Sequence, residues 1–191
     1  SQIMSSVLGK SRMPMLIVDS TAVIKDRTMF SARGAGIRGF SVFGKDTEYM
    51  FDENMALRSH EISEFLLKHE NSPVFLFGFT FMIWEHLCEE LRRRGERLNI
   101  PGGILLHGGG WKKLVTLNIS NEEFKSAVKE TTGVSRVVNY YGMVEQTGSI
   151  YVECEEGYLH SSNFSDVVVR DPHTLRPAPN GQEGVVQVIS M

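Results

Sequence analysis

Four short runs of apolar residues recur along the first 140 positions of the chain, each bounded by turn-forming residues. Runs of this length with Gly, Pro or Asp at their ends are typical of buried β-strands. Between the runs, apolar residues recur every three or four positions, which is the period of an amphipathic helix. Strands that alternate with helices predict an α/β fold, with a parallel sheet flanked by helices and right-handed crossovers. The predicted strands are residues 13–19, 74–77, 104–106 and 136–140.

Three predicted helices lie between these strands, and each has a polar candidate for its N-cap residue. The strongest signal is the Ser-x-x-Glu sequence at Ser120–Glu123, which is typical of a capping box. In another helix, acidic residues come first and three arginines, Arg92–Arg94, come last, which complements the helix dipole. We interpret this basic cluster as a solvated helix end rather than a phosphate site. The three N-cap candidates are Asp52, Thr80 and Ser120.

Residues 27–51 are rich in glycine and phenylalanine, and we predict a loop followed by a strand that includes residues 40–43. Gly34–Gly39 spells GxGxxG, which signals dinucleotide binding only when the glycines lie between a strand and a helix. Gly39–Lys45 spells GxxxxGK, but Asp46 stands where a P-loop needs Ser or Thr. Because neither motif has its required context, a nicotinamide-dependent dehydrogenase is the weakest functional hypothesis.

The pattern changes after about Gly148, where short strand-like segments follow one another without helices between them. Turn residues such as Asp171-Pro172 and Asn180-Gly181 separate these segments, which predicts a C-terminal antiparallel β appendage. We therefore predict an α/β subdomain over residues 1–148 and a β-rich appendage of the same domain over residues 149–191. The predicted strands of the appendage are residues 150–153, 158–160, 167–169 and 185–188.

Composition narrows the classes of partner. The net charge is −3, so no strong electric field indicates nucleic acid or an anionic membrane. The two cysteines, Cys88 and Cys154, are far apart, which argues against a disulfide framework or zinc site and fits a reducing cytoplasm. The longest apolar run is far shorter than the ~20 residues that a membrane-spanning helix requires. We expect a cytoplasmic protein without a membrane span.

Two strand ends carry unusual residues. The third strand runs into His107-Gly108-Gly109-Gly110-Trp111, where the missing Cβ atoms would let a flat ring or a phosphate approach the backbone. The fourth runs into residues 139–146, which offer aromatic rings, an amide and a carboxylate. Ligands of open parallel sheets bind at the carboxyl ends of the strands. If the two strands are neighbours, these segments flank one crevice.

At these residues the chain resembles a known family. Tyr141–Glu145 looks like the Tyr-Gly-x-Thr-Glu motif of the adenylate-forming, AMP-producing superfamily of acyl-activating enzymes. The glycine run about 30 residues earlier is similar to that superfamily's Gly-Gly loop, and residues 166–188 resemble its Asp-Pro and Pro-x-Gly segment. Within the superfamily, the chain most resembles the acyl-protein synthetases, the fatty-acid-activating proteins associated with bacterial luminescence.

The resemblance implies a ligase that uses ATP, releases AMP and requires Mg²⁺. Its expected substrate is a fatty acid or another carboxylic acid, and its acyl acceptor is a protein thiol or CoA. Glu145 would be the catalytic residue and the Mg²⁺ ligand, and His107 and Trp111 would line the substrate site. By its residue type alone, His107 could equally be a strand-end residue bonded to the backbone. The expected nucleotide-binding residues are Gly108, Gly109, Gly110, Asn139, Tyr140, Tyr141, Gly142, Met143 and Val144.

Two departures keep an alternative open. Val144 stands where the superfamily has Thr, so one hydroxyl contact to the nucleotide is missing. The upstream phosphate loop and the downstream catalytic Lys are not found, so we expect a central portion of a ligase that is inactive by itself. The alternative is a degenerate nucleotide-binding or interaction module of the same fold. Cys154 lies among acidic neighbours, which disfavours this residue as an acyl acceptor.

Overall fold

The computed structural model describes residues 2–25, 31–109, 111–142 and 149–190; for Lys25, Lys112, Lys113 and Ser190 it describes the backbone alone. Two compact units follow one another along the chain, Ser1–Asn139 and Tyr140–Met191. The predicted boundary after residue 148 falls at the end of a stretch outside the described residues and stays a prediction.

The first unit alternates strands with helices. Its strands are β1 (Met13–Ser20), β2 (Gly44–Phe51), β3 (Phe75–Phe79), β4 (Ile104–Gly108) and β5 (Arg136–Gly142), the last of which continues into the second unit. Its helices are α1 (Gln2–Leu8), α2 (Ala22–Lys25), α3 (Ala32–Ser41), α4 (Ser59–Lys68), α5 (Thr80–Met82), α6 (Glu89–Arg94), α7 (Trp111–Thr116) and α8 (Asn121–Thr132). A π-helical segment, Ile83–Cys88, joins α5 to α6. Across the described ranges, every helix is too short or too polar to cross a bilayer.

Parallel pairing connects the strands of the first unit in the order β2-β1-β3-β4-β5. β3 pairs with β4 from Phe75↔Ile104 to Phe79↔Gly108. β4 pairs with β5 from Ile104↔Arg136 to His107↔Asn139. The predicted parallel sheet is therefore confirmed. The order of the strands in the sheet differs from their order in the chain at one place: β2 lies at the edge, beside β1, and not between β1 and β3.

The core of this unit lies on the sheet. All eight residues of β1 are buried, as expected for a strand that is covered on both faces. Side chains of α4, the π-helical segment and α8 pack on the sheet through Phe65, Leu87 and Phe124. This apolar packing supplies the main stabilisation of the unit and holds the strand ends rigidly in register.

The second unit contains the predicted antiparallel strands. They are β6 (Ile150–Glu153), β7 (Leu159–His160), β8 (Ser165–Arg170) and β9 (Val185–Ser190). β6 pairs with the end of β5 on one side and with β7 on the other, all antiparallel. β8 and β9 form a separate two-stranded sheet, and the valines Val167 and Val188 are paired across it. The C-terminal β appendage is thus confirmed.

The prediction for residues 40–43 was wrong. Phe40 and Ser41 are the last two residues of α3 (Ala32–Ser41), and Val42 and Phe43 form the turn before β2 begins at Gly44. The Ser31 hydroxyl caps the helix by accepting a hydrogen bond from the Gly34 amide. An added Cβ at Gly36 would lie 3.3 Å from the Phe79 ring, so this glycine makes room for packing. The GxGxxG motif therefore lies within a helix and does not form a phosphate loop.

Two N-cap predictions were also wrong. The Asp52 carboxylate closes a turn by accepting hydrogen bonds from the Asn54 and Ala56 amides, and α4 begins seven residues later at Ser59. Thr80 is the first helical residue of α5, and Phe79 takes the N-cap position without a side-chain cap. Aspartate and threonine favour helix starts and turns alike, so the sequence alone does not separate these outcomes.

The capping box at the start of α8 is confirmed and gives a stability prediction. The Ser120 hydroxyl accepts a hydrogen bond from the Glu123 amide, and the Glu123 carboxylate accepts one from the Ser120 amide. Ser120→Ala should lower the free energy of unfolding by about 1 kcal/mol, because an N-terminal amide loses its acceptor. Urea unfolding of the two proteins measures the difference.

Ser126→Ala is the matched control, because it makes the same change on an exposed position inside α8. Alanine has the higher helix propensity there, so this control should be neutral or slightly stabilising. Equal losses in the two variants would contradict the capping role of Ser120.

Candidate active site

The ends of β4 and β5 are the two segments that carry the predicted site residues. His107 of β4 lies in register with Asn139 of β5, and the strands are parallel neighbours. Their carboxyl ends therefore lie at the same edge of the sheet. This adjacency is the geometric condition that the sequence hypothesis required.

A tight glycine turn follows β4. Gly108 is buried, whereas Gly109 is exposed and has a left-handed φ of +67°. An added Cβ at Gly109 would lie 3.1 Å from Cδ1 of Phe79, closer than an ordinary van der Waals contact. Glycine is therefore favoured at position 109 for two reasons: the backbone is in the left-handed region, and a side chain would press on the Phe79 ring. Gly110, which was predicted to border the same site, is outside the described residues.

His107 is fully buried and does not line an open surface in this structure. Its Nδ1 atom shares a hydrogen bond of 3.0 Å with the hydroxyl of Thr80, which is also fully buried. The side chain thus bonds to another side chain at the next strand end, which neither sequence interpretation anticipated. Its role in lining the substrate site remains a prediction.

The surroundings of His107 keep its imidazole neutral. The ring packs 4.5 Å from the Phe124 ring and 6.0 Å from the Trp111 ring, measured between centroids. Burial, with a smaller contribution from the positive charge of Lys125, lowers the pKa of His107 to about 3. Its Nε2 atom is buried and has no hydrogen-bond partner among the described residues. The imidazole therefore stays neutral near pH 7 and does not serve as a general acid or base there.

Trp111 is the first residue of α7 and is half-buried. Its ring packs edge-on against Phe124, with 5.6 Å between centroids. The indole Nε1 atom is buried and lacks a hydrogen-bond partner among the described residues. Trp111 thus belongs to the group of rings that packs around His107, and its predicted contact with the substrate remains a prediction.

β5 presents an amide and two phenol rings. Asn139 is half-buried, and Tyr141 is 49% exposed. Burial raises the pKa of Tyr140 to about 12, so its phenol stays protonated at physiological pH. Gly142 ends the strand and is exposed. Met143, Val144 and Glu145 are outside the described residues, so the predicted Mg²⁺ ligand is not placed.

A buried ion pair at the end of β1 was missed by the sequence analysis. The Arg33 guanidinium donates two hydrogen bonds to the Asp19 carboxylate, at 2.7 and 3.0 Å. Asp19 is 1% exposed and Arg33 34% exposed. A carboxylate at the carboxyl end of a buried parallel strand was a usable signal, since strand ends of this kind collect functional groups. Thr80 was missed as a site residue because its sequence position predicted a helix cap.

Other candidate chemistry is sparse in the described part of the chain. There, no group of three or more His, Cys, Asp or Glu side chains could hold a metal ion. Cys154 is half-buried, and its backbone amide donates a hydrogen bond to Tyr158 across the turn between β6 and β7. Cys88 is buried, and this burial raises the pKa of its thiol to about 11. Cys88 is therefore a packing residue.

Comparison with known proteins decides the family. The family model described as "Acyl-protein synthetase, LuxE" matches residues 1–191, which is the whole chain. The chain belongs to the LuxE acyl-protein synthetase family. A curated relative, the long-chain-fatty-acid–luciferin-component ligase of Vibrio harveyi, is 26% identical over 129 residues. That match covers 63% of this chain and 32% of the relative.

Solved structures share the fold of this LuxE family chain. ATP-bound MatB from Rhodopseudomonas palustris superposes with a TM-score of 0.59 at 14% identity, over 99% of this chain and 34% of that one. A long-chain-fatty-acid–CoA ligase, FadD1 from Archaeoglobus fulgidus, gives a TM-score of 0.59 at 12% identity, over 98% and 36%. The chain therefore shares the fold of these two structures, and it spans about a third of the length of these relatives.

The depressed pKa of His107 predicts an acid-dependent loss of stability. At a pH between about 3 and 6.5, His107 is protonated in the unfolded chain, where its pKa is 6.5, but stays neutral in the folded state, where its pKa is about 3. The stabilisation is therefore complete above pH 6.5 and falls by about 1.4 kcal/mol per pH unit as the pH drops through this window. Urea unfolding of this LuxE family chain between pH 7.5 and 4.5 measures the slope.

His107→Asn is the comparison variant, because its amide stays near the position of Nδ1 but does not titrate. The difference in unfolding free energy between the native chain and this variant should shrink as the pH falls. Parallel pH profiles for the two proteins would show that His107 is not held neutral.

Proposed function

We propose that this chain forms part of an ATP-dependent, AMP-forming ligase that activates a fatty acid or another carboxylic acid. The observation that carries the proposal is the family match over the whole chain. The parallel adjacency of β4 and β5 supports it, because the proposed nucleotide-binding segments follow these two strands.

Three described residues each carry a group of a kind that binds purine nucleotides. Gly109 offers exposed backbone without a Cβ, so a flat ring or a phosphate can approach closely. Asn139 offers an amide that can donate to and accept from the polar edge of a base. Tyr141 offers a half-exposed ring for stacking. The roles are those that the motifs imply, and we assign them as part of the proposal.

The proposed reaction has two steps. In the first, a carboxylate oxygen of the acid attacks the α-phosphorus of ATP, the bond to the bridging oxygen breaks, and pyrophosphate leaves. In the second, a thiolate attacks the acyl carbonyl and AMP leaves, which yields a thioester. The acceptor thiol belongs to a protein or to CoA.

Charge repulsion is the main obstacle to the first step, since a carboxylate must approach a phosphate of the same sign. We assign Glu145 as a ligand of the Mg²⁺ that would offset this repulsion, because it occupies the acidic position of the Tyr-Gly-x-x-Glu motif. Val144 removes a hydroxyl contact that the superfamily supplies from this position. Valine has no polar side-chain atom, so the backbone N–H is the group of this residue that can still donate a hydrogen bond to the nucleotide.

ATP–pyrophosphate exchange by the full-length gene product is the direct test. Exchange that depends on a fatty acid supports the proposal, and the isolated 191-residue chain should show negligible exchange. AMP binding measured by calorimetry, without exchange for any carboxylic acid, would instead support the degenerate nucleotide-binding module.

Glu145→Ala in the full-length protein should lower the exchange rate by at least about a hundredfold, because the metal loses its protein ligand. The melting temperature should change little if the side chain serves the metal alone. Glu156→Ala is the matched control, an exposed acid in the turn between β6 and β7 that the proposal does not use. Equal rates in the two variants would contradict the metal-binding role of Glu145, and a large loss of melting temperature in Glu145→Ala alone would assign it a structural role.

A further inference from the structure

Thr80 occupies the junction between β3 and α5, where its hydroxyl could have capped the helix. Instead, the hydroxyl makes its hydrogen bond with Nδ1 of His107, which is 27 residues further along the chain. Both side chains are fully buried. The bond therefore connects the carboxyl end of β3 to the carboxyl end of β4, one residue before the glycine turn.

Within the described ranges, the Thr80 hydroxyl and the Nδ1 atom of His107 have each other as hydrogen-bond partner. The other ring nitrogen of His107 has no partner there, and its low pKa keeps the ring uncharged. A buried hydroxyl and a buried imidazole each lose solvation on folding, so breaking the bond would leave two unsatisfied polar groups. The pair therefore strongly prefers the bonded geometry.

Phe79, the residue before Thr80, adds a second contact to the same strand end. Its ring lies where an added Cβ at Gly109 would be 3.1 Å away, and it also packs near Gly36 of α3. Two consecutive residues thus hold the end of β4 by independent means. Thr80 holds His107 by a hydrogen bond, and Phe79 holds Gly109 by packing.

We infer that Thr80 is a positioning residue for the proposed adenylation reaction. Through His107 it fixes the direction in which the Gly108–Gly109 turn leaves β4. The inference rests on the proposed function, because the turn acquires a catalytic purpose only if it borders the nucleotide and the acid. Reacting groups must be held closely in place, and a shift of about 1 Å can cost as much as a hundredfold in rate.

Thr80→Val tests the inference, because valine keeps the shape of the side chain and removes the hydroxyl. In the full-length protein this variant should lower kcat for ATP–pyrophosphate exchange by about tenfold or more, with a smaller change in the KM for ATP. Thr80→Ser restores the hydroxyl and should bring kcat back to within about threefold of the native value.

Thr131→Val is the matched control. Thr131 is also buried, but its hydroxyl donates to the backbone carbonyl of Ala127 at 2.8 Å. It lies at the end of α8, just before β5 begins, and so at the opposite edge of the sheet from the glycine turn. This control should lose stability without a comparable loss of kcat.

A second readout is independent of catalysis. Hydrogen–deuterium exchange of the peptide containing residues 104–109, measured on the 191-residue chain, should become faster in Thr80→Val and stay unchanged in Thr131→Val. Native protein without ATP–pyrophosphate exchange would overturn the proposed function, and unchanged hydrogen–deuterium exchange of this peptide in Thr80→Val would overturn the inference that Thr80 holds the end of β4. Active native protein with equal kcat in the Thr80 and Thr131 valine variants would overturn the positioning role.

Discussion

Parallel hydrogen bonding between β3, β4 and β5 is the constraint on which the rest of this structure depends. Because the three strands run in the same direction, their carboxyl ends lie at one edge, where Thr80, His107 and Asn139 follow one another across the sheet. Antiparallel pairing of β4 and β5 would place the glycine turn and Asn139 at opposite edges. The proposed site is therefore a consequence of strand direction before it is a consequence of any side chain.

The buried His107 shows how misleading residue type can be at such an edge. A histidine beside a glycine turn invites a catalytic interpretation, yet burial holds its pKa at about 3 and its Nδ1 is bonded to Thr80. Burying Thr80 and His107 without the hydrogen bond between them would cost free energy. The pair therefore holds the backbone of the two strand ends in the geometry that keeps the bond. Gly109, two residues further along the chain than His107, is exposed.

Several features were predictable because local signals and tertiary structure agree on them. Strands β1, β3, β4 and β5 are short apolar runs, and the capping box of α8 satisfies its own helix end within four residues. The region of α3 was mispredicted because glycines lower helix propensity, whereas Ser31 and the packing of Phe79 on Gly36 favour the helix. That packing partner lies more than 40 residues away in sequence, and no local pattern contains it.

The sequence by itself determined the alternation of strands and helices, the change to antiparallel strands near the C-terminus, and the family to which the chain belongs. These follow from periodicity, turn residues and motifs, all of which act over a few neighbouring positions. Only the tertiary structure decided that β4 and β5 are neighbours, that His107 is buried against Phe124, and that Thr80 bonds to it. Burial and pairing between distant segments depend on how the whole sheet assembles, and these set the charge and the contacts of each side chain.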